Sequence, residues 1–253
     1  MKVIFAGDVP QYRQDIMAIL NRFKNDGTLI GTGTRNVIKF FEVNGFTLNF
    51  KSFKQHNIIN RHVYKFYRKS KARRSFEYAQ MLISKNFHTP KPIAYVENHD
   101  FIGLTSSYYI SEQLKDAFTL ADVLGDYSFP DREKIIKEYV SVMYRLHNGG
   151  IEFIDNSPGN FLIIKENTDY HIYLVDLNRM NFYEHIENDK RLKNFARLTH
   201  DPETIKIIAS EYALLSGIAS EYCFTRILKA NHRMMVKRRI KNVLKLYKHI
   251  IKI

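Results

Sequence analysis

The sequence is poor in the features that mark several large protein classes. Cys223 is the only cysteine among 253 residues, so no disulfide forms within the chain, and no cluster of cysteine and histidine has zinc-site spacing. No uncharged apolar run approaches the roughly 18 residues that a membrane-spanning helix needs. With 11 glycines and 6 prolines there is no long linker. These shortages exclude a disulfide scaffold and a membrane-embedded protein, and they favour one compact domain in a reducing compartment.

Acidic residues are scarce, and they are missing from two long windows. The chain has 39 Lys and Arg residues against 26 Asp and Glu, a formal net charge of +13. Residues 51–74 and residues 226–252 contain many basic residues and no acid. A field of this sign favours phosphate-rich partners, namely nucleic acid, nucleotides or an anionic membrane, and does not choose among them.

Hydrophobic periodicity predicts one early helix and then a change to β-structure. Apolar residues recur at helical spacing over residues 10–24. Three short β-rich runs follow and predict antiparallel strands over residues 28–54, with Asn44-Gly45 as a hairpin turn. The pattern of residues 70–86 predicts a helix. Two further strands are predicted after it, in the segments TPKPIAYVE and SSYYISEQL.

From residue 119 the pattern becomes mostly helical. The segment DREKIIKEYVSVMYRLHNGG predicts a long helix ended by two glycines, with His147 a helix-end residue rather than a ligand. Two short β runs follow, NFLII and HIYLVDL, and the remainder is helical in pattern. This order of strands and helices predicts an α+β protein. We expect a single domain over residues 1–253, with an N-terminal lobe of about residues 1–113 and a C-terminal lobe of about residues 114–253.

Unusual polar residues surround the two late β runs. Asp155 and Asn160 stand five residues apart in a loop, and Asp176 ends an otherwise apolar strand. A carboxylate on an apolar run needs a cation or a hydrogen-bond donor. Carboxylate and amide oxygens also suit Mg²⁺ bound together with phosphates. The alternative interpretation is a turn in NSPGN and a strand-end cap.

Taken in order, the candidate residues resemble the protein-kinase signature. A glycine turn is followed by a lysine on the third strand, a glutamate on the next helix, a loop D-x4-N and a strand-end aspartate: Gly31 and Gly33, Lys51, Glu77, Asp155 with Asn160, and Asp176. Lys39 and Lys54 are alternatives to Lys51, which lies more centrally in the third strand. The resemblance implies a bilobal kinase-like fold, with a small antiparallel-sheet N-lobe containing one helix and a larger helical C-lobe.

The resemblance also implies catalytic roles. Lys51 holds the α- and β-phosphates of ATP and forms an ion pair with Glu77. Asn160 and Asp176 bind Mg²⁺, and Asp155 accepts the proton of the acceptor hydroxyl.

Four further positions are implied to contact the nucleotide. Gly31 and Gly33 let backbone N–H groups approach the phosphates. Glu112 and Leu114 are placed beside the adenine only by their position after the fifth predicted strand.

The amino-acid sequence around these motifs is similar to that of the lipopolysaccharide core kinases, the Kdo/heptose kinase family of Gram-negative bacteria. The resemblance runs from about residue 30 to 215, and SPGN and VDLNR are its most specific pieces. It implies transfer of the ATP γ-phosphate to a hydroxyl of an inner-core sugar, either Kdo or heptose, carried on a lipid A-core glycolipid. The implied location is cytoplasmic, and peripheral at the inner face of the inner membrane.

Four departures from the kinase pattern are visible. Phe153 stands where a histidine often precedes the catalytic aspartate, and Asn36 takes the place of a third glycine. Asp176-Leu177-Asn178 replaces D-F-G, and no A-P-E segment follows. The last two argue against a phosphorylation-regulated activation loop and against a protein substrate.

Alternatives remain open for the basic windows and for the activity. The C-terminal segment predicts a basic amphipathic helix that either contacts an anionic membrane or packs on the C-lobe. Aromatic residues within residues 61–74 are also compatible with stacking of single-stranded nucleic acid, the less favoured partner. The alternative functional hypotheses are a kinase that acts on another small molecule or on a protein, and a pseudokinase or membrane-binding module.

Overall fold

The computed structural model describes residues 1–7, 12–30, 36–53 and 68–250, with side chains as far as residue 244. The chain forms two compact units. The first comprises residues 1–116 and 174–178, and the second comprises residues 117–173 and 179–253. The return of residues 174–178 to the first unit is not indicated by the sequence.

The first unit is built on a six-stranded antiparallel sheet in the order β1-β5-β6-β4-β3-β2. The strands are β1 (Lys2–Phe5), β2 (Thr28–Ile30), β3 (Asn36–Val43), β4 (Phe46–Phe53), β5 (Pro92–His99) and β6 (Leu104–Glu112), and the helices are α1 (Arg13–Arg22) and α2 (Lys71–Ser84). The three predicted strands and the two later ones are confirmed. Strand β1, which pairs with β5, was not predicted.

Local chemistry explains two of these boundaries. Asn44 and Gly45 both have positive φ, at 50° and 82°, as the two-residue turn between β3 and β4 requires. Ser70 caps α2, since its side-chain oxygen accepts a hydrogen bond from the backbone N–H of Arg73 at 3.0 Å. The apolar faces of the sheet and of α1 form a buried core that includes Ile16, Phe41, Leu48, Phe50 and Ile110.

The second unit is mostly helical and contains two small sheets. Its elements are β7 (Phe118–Thr119), α3 (Leu120–Gly125), α4 (Arg132–Asn148), β8 (Ile151–Phe153), β9 (Phe161–Glu166), β10 (Asp169–Leu174), β11 (Met180–Phe182), α5 (Asn188–Lys193), α6 (Pro202–Ser216) and α7 (Ser220–Ile250). The sheets have the orders β10-β9-β7 and β11-β8. The long helix and the ribbon of β9 and β10 are confirmed, whereas β7, β8 and β11 were not predicted. None of the helices in the described part of the chain combines the length and apolarity needed to cross a membrane.

Candidate active site

Lys51 lies in the interior of the first unit's sheet and makes an ion pair with Asp176. Its strand, β4, is flanked by β3 and β6, where Ile38 and Tyr109 are its register partners. The Lys51 side chain is only 13% exposed, and its Nζ lies 2.5 Å from Oδ1 of Asp176. The alternative of a solvated basic face therefore does not apply to Lys51.

Neither of the two alternatives to Lys51 is placed beside Asp176 by the described residues. Nζ of Lys39 donates to the backbone carbonyl oxygens of Phe23 and Asp26, each at 2.8 Å. These carbonyls lie at the C-cap of α1 and in the turn just beyond it, where a lysine commonly satisfies unpaired acceptors. Lys39 thus has a structural role, and Lys54 lies outside the described residues, as do Gly31 and Gly33.

Residues 174–178 are tied to the first unit by hydrogen bonds, which explains how Asp176 reaches Lys51. The N–H of Leu174 donates to the carbonyl of His88 at 3.0 Å, and the Thr89 hydroxyl donates to the carbonyl of Leu174 at 2.8 Å. Nδ2 of Asn178 donates to Oδ1 of Asp176 at 2.6 Å. Asp176 itself has a φ of 58°, a strained conformation of the kind that persists at functional sites when its surroundings hold it.

Glu77 is on the predicted helix but does not pair with Lys51. Its carboxylate accepts from Nζ of Lys69 at 2.7 Å and from Nε of Arg73 at 2.8 Å. Burial acts to raise the pKa of Glu77, but the hydrogen bonds from Lys69 and Arg73 outweigh it, so the pKa lies below its usual value. The implied Lys51–Glu77 ion pair is therefore not formed, because Glu77 has local partners, one of them a helical turn away.

Lys71 is a further cation of the first unit that the sequence analysis did not single out. Its Nζ lies 6.0 Å from the ring centre of Phe53, and Nζ of Lys51 lies 5.5 Å from the same ring centre. Burial, with the nearby charge of Arg74, lowers the pKa of Lys71. The only sequence signal for it was its membership of the basic window.

In the second unit, Asp155 is held by two arginines. The Asp155 side chain is 14% exposed; Nη1 of Arg179 lies 3.0 Å from Oδ1 and 3.3 Å from Oδ2, and Nη1 of Arg197 lies 2.8 Å from Oδ1. Pairing of β8 with β11 sets Arg179 beside the loop, since the Ile154 N–H donates to the Arg179 carbonyl at 3.2 Å. Neither arginine was predicted, although Arg179 is the last residue of VDLNR.

The loop after Asp155 closes on the Asp155 backbone. The Asp155 carbonyl accepts from the N–H of Ser157 at 2.7 Å and from Nδ2 of Asn160 at 2.8 Å. Asn160 therefore uses its amide nitrogen to shape the turn, which leaves its amide oxygen for another partner. The predicted proximity of Asp155 and Asn160 is present in the structure.

Buried hydrogen bonds position this loop in place of the missing histidine. The carbonyl of Phe153 accepts from Nδ2 of Asn194 at 2.9 Å, and Oδ1 of Asn194 lies 3.1 Å from Nε2 of His147. Nδ1 of His147 lies 2.9 Å from the hydroxyl of Tyr212. Burial lowers the pKa of His147 to about 4, so the imidazole is neutral at pH 7. His147 is at the helix end, as predicted, and joins a chain of hydrogen bonds that sequence spacing did not reveal.

A second branch of this network holds the residue after Asp155. Oδ1 of Asn156 accepts from the Tyr139 hydroxyl at 2.7 Å, and Nδ2 of Asn156 donates to the Asn194 carbonyl at 3.0 Å. Asn156 is fully buried, and the Phe153 ring is buried against Phe161. The backbone on both sides of Asp155 is thus fixed from the interior.

The tight turn before β8 depends on glycine. Gly150 has a φ of 71°, and its carbonyl accepts from the Tyr183 N–H at 2.8 Å. A Cβ on Gly150 would collide with the Tyr183 carbonyl oxygen. Gly150 therefore lets the β8 and β11 segments meet at this point.

The predicted adenine contacts Glu112 and Leu114 lie at the end of β6 and just beyond it. Among the described residues this strand is the sixth rather than the fifth, because β1 was not predicted. The N–H of Glu112 donates to the carbonyl of Lys91 at 3.0 Å, and the carbonyl of Leu114 accepts from Nε2 of Gln113 at 3.0 Å. Nucleotide binding by Glu112 and Leu114 stays a prediction.

Each unit contains one predicted metal ligand that has an oxygen atom available. Asp176 uses Oδ1 for Lys51 and Asn178, and its Oδ2 has no hydrogen bond to the described residues. Asp176 and Asn160 each offer an oxygen of the kind that Mg²⁺ prefers, and Mg²⁺ typically takes few protein ligands beside phosphates. In the described ranges, no group of three or more His, Cys, Asp or Glu side chains could hold a metal ion.

Comparisons with known proteins agree with this architecture. A family model described as the lipopolysaccharide kinase (Kdo/WaaP) family matches residues 25–216, which is more than half of the chain. The solved structure of WaaP in complex with acyl carrier protein is similar, with a TM-score of 0.61 and 16% identity, covering 92% of this chain and 99% of that one. This likeness supports the kinase-like fold.

A second solved structure is more distant. It is the Rio2 kinase–ADP/Mg²⁺–phosphoaspartate complex from Chaetomium thermophilum, with a TM-score of 0.47, 16% identity and coverage of 93% of this chain and 82% of that one. The comparison with curated proteins gave no match.

Proposed function

Because the chain belongs to the lipopolysaccharide kinase (Kdo/WaaP) family, we propose that it transfers the γ-phosphoryl group of ATP to a hydroxyl of an inner-core sugar, Kdo or heptose, of lipopolysaccharide. The family match over residues 25–216 is the observation that carries this proposal. The matched range includes Lys51, Asp155, Asn160 and Asp176.

The first unit supplies charge for the nucleotide. Lys51 and Lys71 bring two ammonium groups to one aromatic ring, and positive charge of this kind stabilises phosphate oxygens. Asp176 of the first unit and Asn160 of the second unit are the proposed Mg²⁺ ligands, as the kinase resemblance implies. Bound Mg²⁺ neutralises charge that builds up on the phosphate oxygens.

The second unit supplies the base. Oδ1 of Asp155 receives the shorter contacts from Arg179 and Arg197, which leaves Oδ2 the less engaged oxygen. We assign proton acceptance to Oδ2: the O–H bond of the acceptor breaks, Asp155 takes the proton, and the acceptor oxygen bonds to the γ-phosphorus as ADP leaves. The hydrogen bonds on either side of Asp155 hold the base in one orientation, as positioning catalysis requires.

The test is transfer of labelled phosphate from ATP, with Mg²⁺, to a Kdo–lipid A acceptor. We expect label on the sugar from the native protein, and at least about a thousandfold loss in Asp155→Asn, because the amide cannot accept the proton. Nucleotide binding, measured as a rise in Tm with ATP and Mg²⁺, should persist in Asp155→Asn. The exposed Asp169 on β10 provides the control, Asp169→Asn, which should transfer normally.

Other results of this assay would favour one of the alternative functions. Label that appears only on protein would favour a protein kinase, and a Tm that ATP and Mg²⁺ do not raise would favour a module without turnover. An Asp155→Asn protein as active as the native one would remove Asp155 as the base.

The exposed end of α7 supports a peripheral contact with an anionic membrane. Its first part is buried through Cys223, Ile227 and Asn231. Beyond it, four apolar side chains at helical spacing are 41–57% exposed: Val236, Ile240, Val243 and Leu244. Basic residues stand between them, Lys237, Arg238, Arg239 and Lys241. An apolar stripe flanked by cations suits the interface of an anionic bilayer.

Vesicle co-sedimentation tests the membrane contact. We expect binding to vesicles containing phosphatidylglycerol and little binding to pure phosphatidylcholine, with binding to the anionic vesicles weakened by salt. The double variant Ile240→Ser/Leu244→Ser should bind at least about tenfold more weakly. Leu214, which is 78% exposed on α6, provides the control Leu214→Ser. Salt-insensitive binding, or equal binding by the double variant, would contradict the proposal.

A further inference from the structure

The two arginines at Asp155 carry more positive charge than the carboxylate neutralises. Arg179 and Arg197 together bring two charges to the single charge of Asp155, and no other acidic group shares a salt bridge with either arginine among the described residues. Both arginine side chains are about half exposed, at 52% and 45%. A net positive charge therefore remains at the surface beside the proposed base.

Most of the donors on these arginines are unused. A guanidinium has five N–H donors, yet Arg179 and Arg197 each use only Nη1 in their contacts with the described residues. Nε and Nη2 of both side chains are left without a described protein acceptor.

Structural arginines of the same unit behave differently. Arg191 is buried and donates from Nε to the carbonyl of Ile186 at 2.6 Å and from Nη1 to Oδ1 of Asn148 at 2.6 Å. Arg132 likewise donates through two nitrogens to neutral oxygens, those of Val123 and Thr204. Arg191 and Arg132 thus each engage two of their nitrogens with neutral oxygens, whereas Arg179 and Arg197 each engage one nitrogen with a carboxylate.

We propose that Arg179 and Arg197 bind an anionic group of the acceptor, a carboxylate or a phosphate, next to the hydroxyl that Asp155 deprotonates. The inference rests on the proposed function for the identity of the acceptor as a sugar. Guanidinium groups recognise carboxylate and phosphate through paired N–H donors, and such donors remain on both residues. Because both arginines contact Oδ1, a hydroxyl at Oδ2 would place a charged group on a neighbouring carbon within their reach.

A purely positioning role for the arginines makes a different prediction. If they only orient Asp155, their loss lowers kcat equally for charged and neutral acceptors. If they bind the acceptor's anion, their loss weakens binding of the charged acceptor and leaves the neutral one unchanged. Affinity for matched charged and neutral sugars separates the two roles.

The experiment is calorimetric binding to the full chain with two pairs of probes. One pair is the methyl glycoside of Kdo and its carboxamide, and the other is a heptose disaccharide with and without one phosphate monoester. We expect the native protein to bind at least one charged probe about tenfold or more tightly than its neutral partner, because hydrogen bonds between ionised groups are stronger than those to a neutral acceptor. The pair with the larger preference identifies carboxylate or phosphate as the recognised group.

Variants assign the preference to the arginines. Arg179→Gln and Arg197→Gln should each reduce the preference to within about threefold of unity, and the control Arg145→Gln, at an exposed arginine on α4, should retain it. If a glutamine variant fails to fold, Arg179→Lys and Arg197→Lys keep the charge and lose the paired donors, and a reduced preference is expected.

The outcomes for this inference and for the proposed function are distinct. A native protein that binds charged and neutral probes alike, or binds neither, overturns the anion site, as does a preference that survives both glutamine variants. A preference that the variants abolish, in a protein that phosphorylates no sugar, supports the anion site and removes the proposed function.

Discussion

The two units hold their key carboxylates in opposite ways. Asp176 in the first unit faces one ammonium, that of Lys51, so their charges balance. Asp155 in the second unit faces two guanidiniums on a loop fixed by buried hydrogen bonds. The first arrangement is one ion pair supported by a hydrogen bond from Asn178, and bound phosphate and metal can replace the ion pair. The second is set by the backbone and keeps positive charge in excess. The contrast suggests that nucleotide binding rearranges the first unit's pair and that the acceptor meets a preformed second unit.

The strongest test of this contrast is removal of the Lys51 charge. We expect Lys51→Met to lower kcat/KM by at least about a thousandfold, or roughly 4 kcal/mol of transition-state stabilisation. The reason is that no other cation among the described residues forms an ion pair with Asp176. The rise in Tm with ATP and Mg²⁺ should disappear, in contrast to Asp155→Asn. Lys91→Met, at an exposed lysine of the same unit, is the control. A loss smaller than tenfold would break the assignment.

The second unit's arrangement should depend on backbone geometry. Gly150→Ala places a Cβ against the Tyr183 carbonyl and an alanine at positive φ, so we expect the free energy of unfolding to fall by about 3 kcal/mol. Chemical denaturation measures this. Gly125→Ala is the control, because a Cβ there meets no atom within 4 Å. Equal stability of the two variants would contradict the role given to Gly150.

Sequence patterns predicted the elements of the fold far better than the partners of the site. Alternation, the Asn44-Gly45 turn and the helical repeats are local signals, and they located most strands and helices. Strands β8 and β11 were missed because three residues are too few to show a period.

The site residues divide in the same way. Lys51, Asp155, Asn160 and Asp176 follow from a motif order, whereas Arg197 is 42 residues from Asp155 and no local pattern joins them. Asn194 and His147 are likewise linked only through the interior of the fold. Glu77 was identified correctly as a helix residue, but its partners Lys69 and Arg73 are neighbours that a motif does not specify.

Asn194 offers a more moderate test of the second unit. Asn194→Ala removes the donor to the Phe153 carbonyl and the acceptor for His147, and both partners are buried. We expect a loss of about 2–3 kcal/mol in the free energy of unfolding, with a lower kcat for any acceptor and little change in the Tm rise caused by nucleotide. Asn181→Ala, at an exposed asparagine on β11, should leave both the free energy of unfolding and kcat unchanged. A normal kcat in folded Asn194→Ala would show that the loop does not need this support.

The pH dependence of stability separates the units further. The pKa of His147 is about 4 in the folded protein and about 6.5 when unfolded, so the unfolded state binds more protons between these values. Stability from the neutral imidazole is complete above about pH 6.5 and is lost as the pH falls towards 4. From pH 7 to pH 5 we expect a loss of about 2 kcal/mol. His147→Gln should flatten this slope, and an unchanged slope would assign it to other groups.

The smallest expected effect concerns Glu77, and it sharpens the contrast between Lys51 and its implied partner. Because Glu77 binds the half-exposed Lys69 and Arg73 rather than Lys51, we expect Glu77→Gln to lower kcat/KM by less than about fivefold, or under about 1 kcal/mol. Parallel measurement of kcat/KM for Glu77→Gln and Lys51→Met is decisive. A loss in Glu77→Gln as large as that in Lys51→Met would mean that Glu77 leaves Lys69 and Arg73 during turnover and takes Lys51 as its partner, which would restore the ion pair implied by the kinase resemblance.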